Sequence, residues 1–233
     1  MDCKFRHELK YICSDAELTA MQLRLSHLMR RDPHTRADGT YLIRSIYYDD
    51  HDNSYYYANE DGSNDRKKWR IRSYNCSSGK IKLECKNKLN GMILKRSCSL
   101  SMEQYELLTD RRRLLHAGRL IDKDNPDLLN EFLYLCQTTA MRPVVIVQYE
   151  RRPFIYHEGN VRVTFDRNIA SSGNISGFFD RDLNVRPIMP GGTQLLEVKY
   201  DEFLPDTVYR SVQKRDMSQT AFSKYYLCRR FSI

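Results

Sequence analysis

Apolar and charged residues alternate with a period of two in one segment of this chain after another. Segments 3–12, 41–49, 66–75, 79–88, 92–99, 161–167 and 193–200 carry the alternation or are rich in β-branched and aromatic residues, and they read as strands. Segment 142–152, built on Val144-Val145-Ile146-Val147, reads as a buried strand. Cys76-Ser77-Ser78-Gly79 and Asn90-Gly91 are hairpin connections. Helical spacing appears elsewhere. Ser14 and Glu17 form a capping box ahead of Leu18, Met21, Leu25, Leu28 and Met29, with the helix ending near Arg31. Ser101 opens a helix reaching about Ala117, with Gly118 as its stop, and a second helix spans Asp127 to Thr139. The tail from Thr207 to Phe231 predicts one or two helices around Val208, Val212, Met217, Phe222, Tyr225 and Tyr226. Loops cover 33–39 and 171–192, and 51–65 reads as a loop or short helical turn. About eight strands with helices inserted at three places, and no linker between them, predict a single domain over residues 1–233.

In a strand, residues i and i+2 share a face. Lys4, Arg6, Glu8 and Lys10 therefore line up, as do Lys68, Arg70 and Arg72, and Lys82, Glu84, Lys86 and Lys88. So do Tyr149 with Arg151, Arg162 with Thr164 and Asp166, and Glu197 with Lys199. Arg44 shares a face with Ile46. The opposite faces carry Phe5, Leu9, Ile71, Leu83, Ile146, Val163, Leu196 and Val198. One such strand belongs to a sheet with a solvated face. Many of them, with amphipathic helices able to cover the outside, predict a sheet curled around a charged interior. The expected fold is α+β: a closed, antiparallel, eight-stranded β-barrel, or tunnel, surrounded by helices. Cations on neighbouring strands lie about 5 Å apart and repel by roughly 3 kcal/mol at an effective dielectric near 20. Such an interior needs anions. The interspersed glutamates supply some, and a polyanionic guest would supply the rest.

Composition sharpens this. The 38 Lys and Arg exceed the 30 Asp and Glu, a formal net charge of +8 that favours phosphates and other anions. The seven cysteines form no C-x-x-C pair, so they read as core thiols rather than a zinc site. No apolar run approaches the roughly 18 residues of a membrane span. The segment Met1–Arg6 carries no signal-peptide core, so a cytoplasmic location is the default expectation. No RRM, KH or zinc-finger signature points to nucleic acid. Arg111-Arg112-Arg113 reads as a solvated helix face. Tyr47, Tyr48, Tyr55, Tyr56 and Tyr57 read mainly as packing residues, with base stacking as the sharper option.

The ordered motifs Phe5-Arg6-His7-Glu8-Leu9-Lys10-Tyr11, Arg44-Ser45-Ile46-Tyr47-Tyr48-Asp49, Arg70-Ile71-Arg72, Glu84-Cys85-Lys86, Tyr149-Glu150-Arg151, Arg162-Val163-Thr164-Phe165-Asp166, Leu196-Glu197-Val198-Lys199-Tyr200 and Phe222-Ser223-Lys224-Tyr225 resemble the VTC domain. This is the polyphosphate polymerase domain of the triphosphate tunnel metalloenzyme group. The resemblance implies a tunnel of eight antiparallel strands that binds ATP and inorganic polyphosphate. It implies transfer of the ATP γ-phosphoryl group onto the chain with Mn²⁺ or Mg²⁺. By motif position, Arg70, Arg72, Lys86, Arg151, Arg162 and Lys199 would be catalytic cations. Lys10, Arg44, Lys88, Tyr149, Ser223 and Lys224 would bind substrate, and Glu197 would hold the metal. Two positions depart from the eukaryotic members: Lys88 stands in place of His, and Ala221 in place of Lys. A membrane-protein partner stays open. Glu8 and Glu84 read as charge partners of nearby cations or as further metal ligands. Asp166 reads as a metal ligand or as an orienting partner of Arg162. Hydrolysis of triphosphates on the same tunnel, or polyphosphate binding without catalysis, are the alternative functions.

Overall fold

The computed structural model describes residues 5–120, 127–213 and 218–230. Lys4 and Met217 lie outside the described residues. Eight long strands form one antiparallel sheet: β1 (His7–Ser14), β3 (Tyr41–Asp49), β4 (Arg66–Tyr74), β5 (Ile81–Leu89), β6 (Met92–Leu100), β7 (Arg142–Tyr156), β8 (Val161–Ser172) and β10 (Thr193–Tyr200). Their spatial order is β1-β10-β8-β7-β3-β4-β5-β6. Two short strands add to its margin: β2 (Arg30–Arg31) against β7, and β9 (Arg186–Pro187) against β8. The β5–β6 hairpin turns at Asn90 and Gly91, both with positive φ (48° and 81°) as a type I′ turn requires.

Helices cover the outside in two patches. α1 (Asp15–Leu28) and α6 (Asp206–Val212) bring Leu18, Met21, Leu25, Val208 and Val212 onto the outward Val161, Val163, Phe165, Leu196 and Val198. The Ser14–Glu17 capping box starts α1 as its sequence predicts. α3 (Met102–Thr109), α4 (Arg111–Leu115) and α5 (Leu128–Thr139) cover Ile46, Tyr48, Trp69, Ile71, Ile81 and Leu83. The single helix expected over 101–117 is broken. Asp110 takes an extended conformation and its carboxylate caps the N–H groups of Arg112 and Arg113, restarting the helix one residue on. Arg111, Arg112 and Arg113 are exposed, as expected of a solvated face. α2 (Ser54–Glu60) and α7 (Lys224–Arg230) pack against the inner face, where Phe222, Tyr225 and Cys228 meet Ile43, Tyr47, Val145, Val147 and Tyr149. The six described cysteines are free thiols.

The barrel is open, not closed. Its terminal strands β1 and β6 meet at one bridge, Arg6 with Ile93. Further along, the tail meets β1's free edge: Gln219 bridges Tyr11, and Thr220 N–H donates to the Lys10 carbonyl. A strand edge occupied by the tail cannot also pair with β6. No described helix is long and apolar enough to cross a membrane.

Candidate functional site

The inner face of the sheet is an ion network organised by four buried carboxylates. On one wall, Glu84 accepts from Arg70 Nε at 2.8 Å and pairs with Arg70 Nη2 at 2.7 Å, Lys95 Nζ at 3.0 Å and Arg72 Nη1 at 3.7 Å. Arg70 also donates to Tyr47 and Arg72 to Tyr149, each through the phenol oxygen. On the facing wall, Asp166 pairs with Arg151 and Lys224, and Glu197 with Arg151, Lys199 and Lys224. Glu8 joins Lys10, Lys86 and Lys199. The cross-strand register sets this arrangement, because Arg151 lies opposite Asp166, Glu197 opposite Lys10, and Arg70 opposite Glu84.

A cavity of about 290 Å³ opens onto the network between β1, the β5–β6 hairpin and the tail. Lys10, Arg66, Lys68, Lys86 and Lys88 line it with Glu8, five cations to one carboxylate. Lys68 donates to Asn59 Oδ1 and to Ser223 Oγ, both at 2.7 Å, and Lys10 to the Phe222 carbonyl at 2.9 Å. The Lys88 side chain has no hydrogen-bond or ion-pair partner among the described residues.

The charge states record the crowding. Burial would raise the Glu8 carboxyl, but Lys10, Lys86 and Lys199 outweigh it and hold it well below the usual carboxylate range. Glu84 and Glu197 are likewise held low, against burial, by their arginines and lysines. The excess cations respond the other way. Burial outweighs Glu8 at Lys86, and with repulsion from Lys10 and Lys199 the ammonium falls to about 7. Burial, Lys10, Lys86 and Arg66 bring Lys68 well below an ordinary lysine. Lys224 goes up, because Asp166 and Glu197 outweigh its burial. Around the cavity cations outnumber carboxylates, and an added anion would favour the charged forms of Lys68 and Lys86.

Most of the expected residues converge here. Arg70, Arg72, Tyr149, Arg151, Glu197, Lys199 and Lys224 form the network, and Lys10, Lys86, Lys88 and Ser223 border the cavity. Arg162 stands at the rim, tied to Asp32 at 2.5 Å and to Tyr41 OH at 2.7 Å, so Asp166 does not orient it. Arg44 is elsewhere. It points to the outer, helix-covered face with Ile46 and donates to the Phe178 and Asp180 carbonyls. Arg66, Lys68 and Lys95 were missed as site residues, although Arg66 and Lys68 continue the period of two through Arg70; Lys95 lies across the ladder from Lys86, which alternation alone does not show. Of the tyrosines, Tyr47 reaches the network, Tyr48 packs under the helices, and Tyr56 stacks on Tyr226.

Glu197 and Glu8 are the carboxylates that would hold a divalent cation. Glu8 and Glu197 both reach Lys199 Nζ, at 3.3 and 3.2 Å, so two hard carboxylates converge on one cation position. Thr164 Oγ1, across the ladder from Glu197, is buried without a hydrogen-bond partner. Among the described residues no three His, Cys, Asp or Glu form a metal cage, so ligand oxygens would have to complete the coordination.

A family model described as the VTC domain matches residues 5–232. Among solved structures, the chain resembles a Hippeastrum adenylyl cyclase candidate described as having a dominant triphosphatase activity, with a TM-score of 0.56, 12% identity, and 99% of this chain covering 97% of that one. It also resembles an adenylate cyclase candidate from Vibrio parahaemolyticus, with a TM-score of 0.52, 10% identity, and 97% of this chain covering 98% of that one. At these identities the likeness is one of fold. No curated protein matches the chain in sequence.

Proposed function

The chain belongs to the VTC domain family, and from that premise we propose that it is a metal-dependent polyphosphate polymerase. The observation that supports this most is the cavity with five cations to one carboxylate, continuous with an inner network of arginines and lysines. Arg70, Arg72 and Arg151 offer planar donors to phosphate oxygens, and Lys199 and Lys224 offer point charges. Mn²⁺ or Mg²⁺ held by Glu197, with Glu8 adjacent, would neutralise charge on the phosphate oxygens. The terminal oxygen of a phosphate chain attacks the γ-phosphorus, the bond to the β,γ-bridging oxygen breaks, and ADP leaves. Positioning and charge neutralisation are what this chemistry demands of a protein. Incubation with ATP and Mn²⁺ tests the reading: long phosphate chains on a gel are the expected product. Free phosphate alone would replace polymerisation with triphosphate hydrolysis, the second reading, to which the fold shared with the Hippeastrum protein lends weight.

The lowered lysines make binding proton-linked. Lys86 titrates near 7 in the folded, unliganded protein, against about 10.4 for a free lysine. Between those values the unfolded chain holds the extra proton, so this residue's contribution to stability grows as pH rises and is absent below 7. A bound polyanion favours the ammonium form and draws a proton back. Tripolyphosphate affinity is therefore expected to weaken from pH 7 to 9. Calorimetry in buffers of differing ionisation heat should show net proton uptake after the ligand's own is subtracted. Binding heats independent of buffer would remove Lys86 as the linked group.

A further inference from the structure

Asp166 has no exposed surface, and both of its oxygens are engaged. Oδ1 accepts from Arg151 Nε at 2.6 Å, and Oδ2 from Arg151 Nη2 at 2.7 Å and Lys224 Nζ at 2.6 Å. The paired bonds fix the plane of the guanidinium, a constraint that no single contact imposes. The β7–β8 register places the two residues directly opposite, so the backbone itself sets the bracket. Arg151 and Lys224 both lie over the Tyr149 ring, at 5.2 and 4.9 Å from its centre. Two cations on one ring repel, and Asp166 is an anion that touches both. Glu197 also takes Arg151 Nη2, which leaves Nη1 for a ligand oxygen. To reach a metal, Asp166 would have to release two cations at once. Glu197 is held less closely, by Lys224 at 2.8 Å, Arg151 at 2.9 Å and Lys199 at 3.2 Å.

We propose that Asp166 is a positioning residue, which holds the Arg151 guanidinium and the Lys224 ammonium in register for the transferred phosphoryl group while touching neither phosphate nor metal. The proposal rests on the triphosphate reading above. Asp166→Asn keeps the size and one acceptor and removes the charge. It is expected to lower kcat for ATP turnover about 100-fold, with KM changed by less than about threefold, the signature of an interaction that matters in the transition state. Mn²⁺ affinity, titrated by electron paramagnetic resonance without nucleotide, should stay within about twofold, whereas loss of a ligand or its support would weaken it about tenfold or more. In an Arg151→Lys background, which has no fork to hold, the same change should cost less than about tenfold, the part owed to Lys224, since coupled residues are not additive.

A tenfold loss of Mn²⁺ affinity would make Asp166 a metal ligand and overturn the proposal. So would an undiminished effect in the Arg151→Lys background. If the amide variant does not fold, Asp166→Glu serves, because it keeps the charge and shifts the fork by one methylene. The same kcat-selective loss is expected of it, and wild-type kcat would overturn the positioning role. A wild-type protein that turns over no ATP would sink the triphosphate reading separately.

Discussion

Glu197→Gln is expected to lower ATP turnover about 10³-fold, some 4 kcal/mol of transition-state stabilisation. Metal-free tripolyphosphate should nevertheless bind the variant at least as tightly as the wild type. The two effects have opposite signs because Glu197 serves two partners. It is the carboxylate proposed to hold the divalent ion, and it also neutralises Arg151, Lys199 and Lys224. Removing its charge would take away the proposed anchor of the metal and leave Arg151, Lys199 and Lys224 one anion short, open to phosphate. A residue that only kept the fold intact would weaken binding and turnover together. Turnover kept within tenfold of wild type would dismiss Glu197 as the metal-holding residue. A parallel loss of phosphate affinity would dismiss the electrostatic argument.

How much of this was legible in the chain depended on the range of the interaction concerned. The period of two placed Glu8, Lys10, Arg70, Arg72, Glu84, Lys86, Arg151, Glu197 and Lys199 on inner faces correctly, because the pleat is a local property. The same period already separated Arg44 from them, since it shares a face with Ile46. Motif position drew it into the phosphate set regardless, and the structure shows it fastening the loop at Phe178 and Asp180. Strand β3 matches its predicted limits, and β10 does as well, being framed by Gly192 and by the turn after Tyr200. Strand β7 runs on to Tyr156 and β8 to Ser172, beyond where the alternation ends, because each is paired on both sides. The open barrel could not be read at all. It follows from Gln219 and Thr220 docking on β1, a pairing of residues more than 200 positions apart whose only local trace is an unremarkable polar stretch. The partners of Asp166 were hidden for the same reason: alternation says which residues face inward, but not which strands are neighbours.

Glu84→Gln is expected to destabilise the unliganded protein by about 3–5 kcal/mol, the cost of removing one partner from a buried ion pair. For a chain of this size that lowers the melting temperature by about 10 °C. Glu84 has no exposed surface, its neighbour Arg72 is buried with it, and Arg70 is largely covered. Without the carboxylate, two arginines and Lys95 face one another with no counter-charge. Part of this loss is recoverable. A polyanion bound at about 100 times its dissociation constant returns roughly 2.7 kcal/mol, and the variant should gain more from it than the wild type, because its cations have no other anion. The acid side of the stability profile supplies a second check. The Glu84 carboxyl is held low in the folded state against its burial. Its contribution is therefore present above the ordinary glutamate value of about 4.3 and disappears as pH falls through the folded one. The glutamine variant has no such group to protonate, so its melting temperature should approach that of the wild type below pH 4. Equal destabilisation at pH 3 and pH 7, with no extra rescue by tripolyphosphate, would show that Glu84 packs the wall rather than balancing its charge.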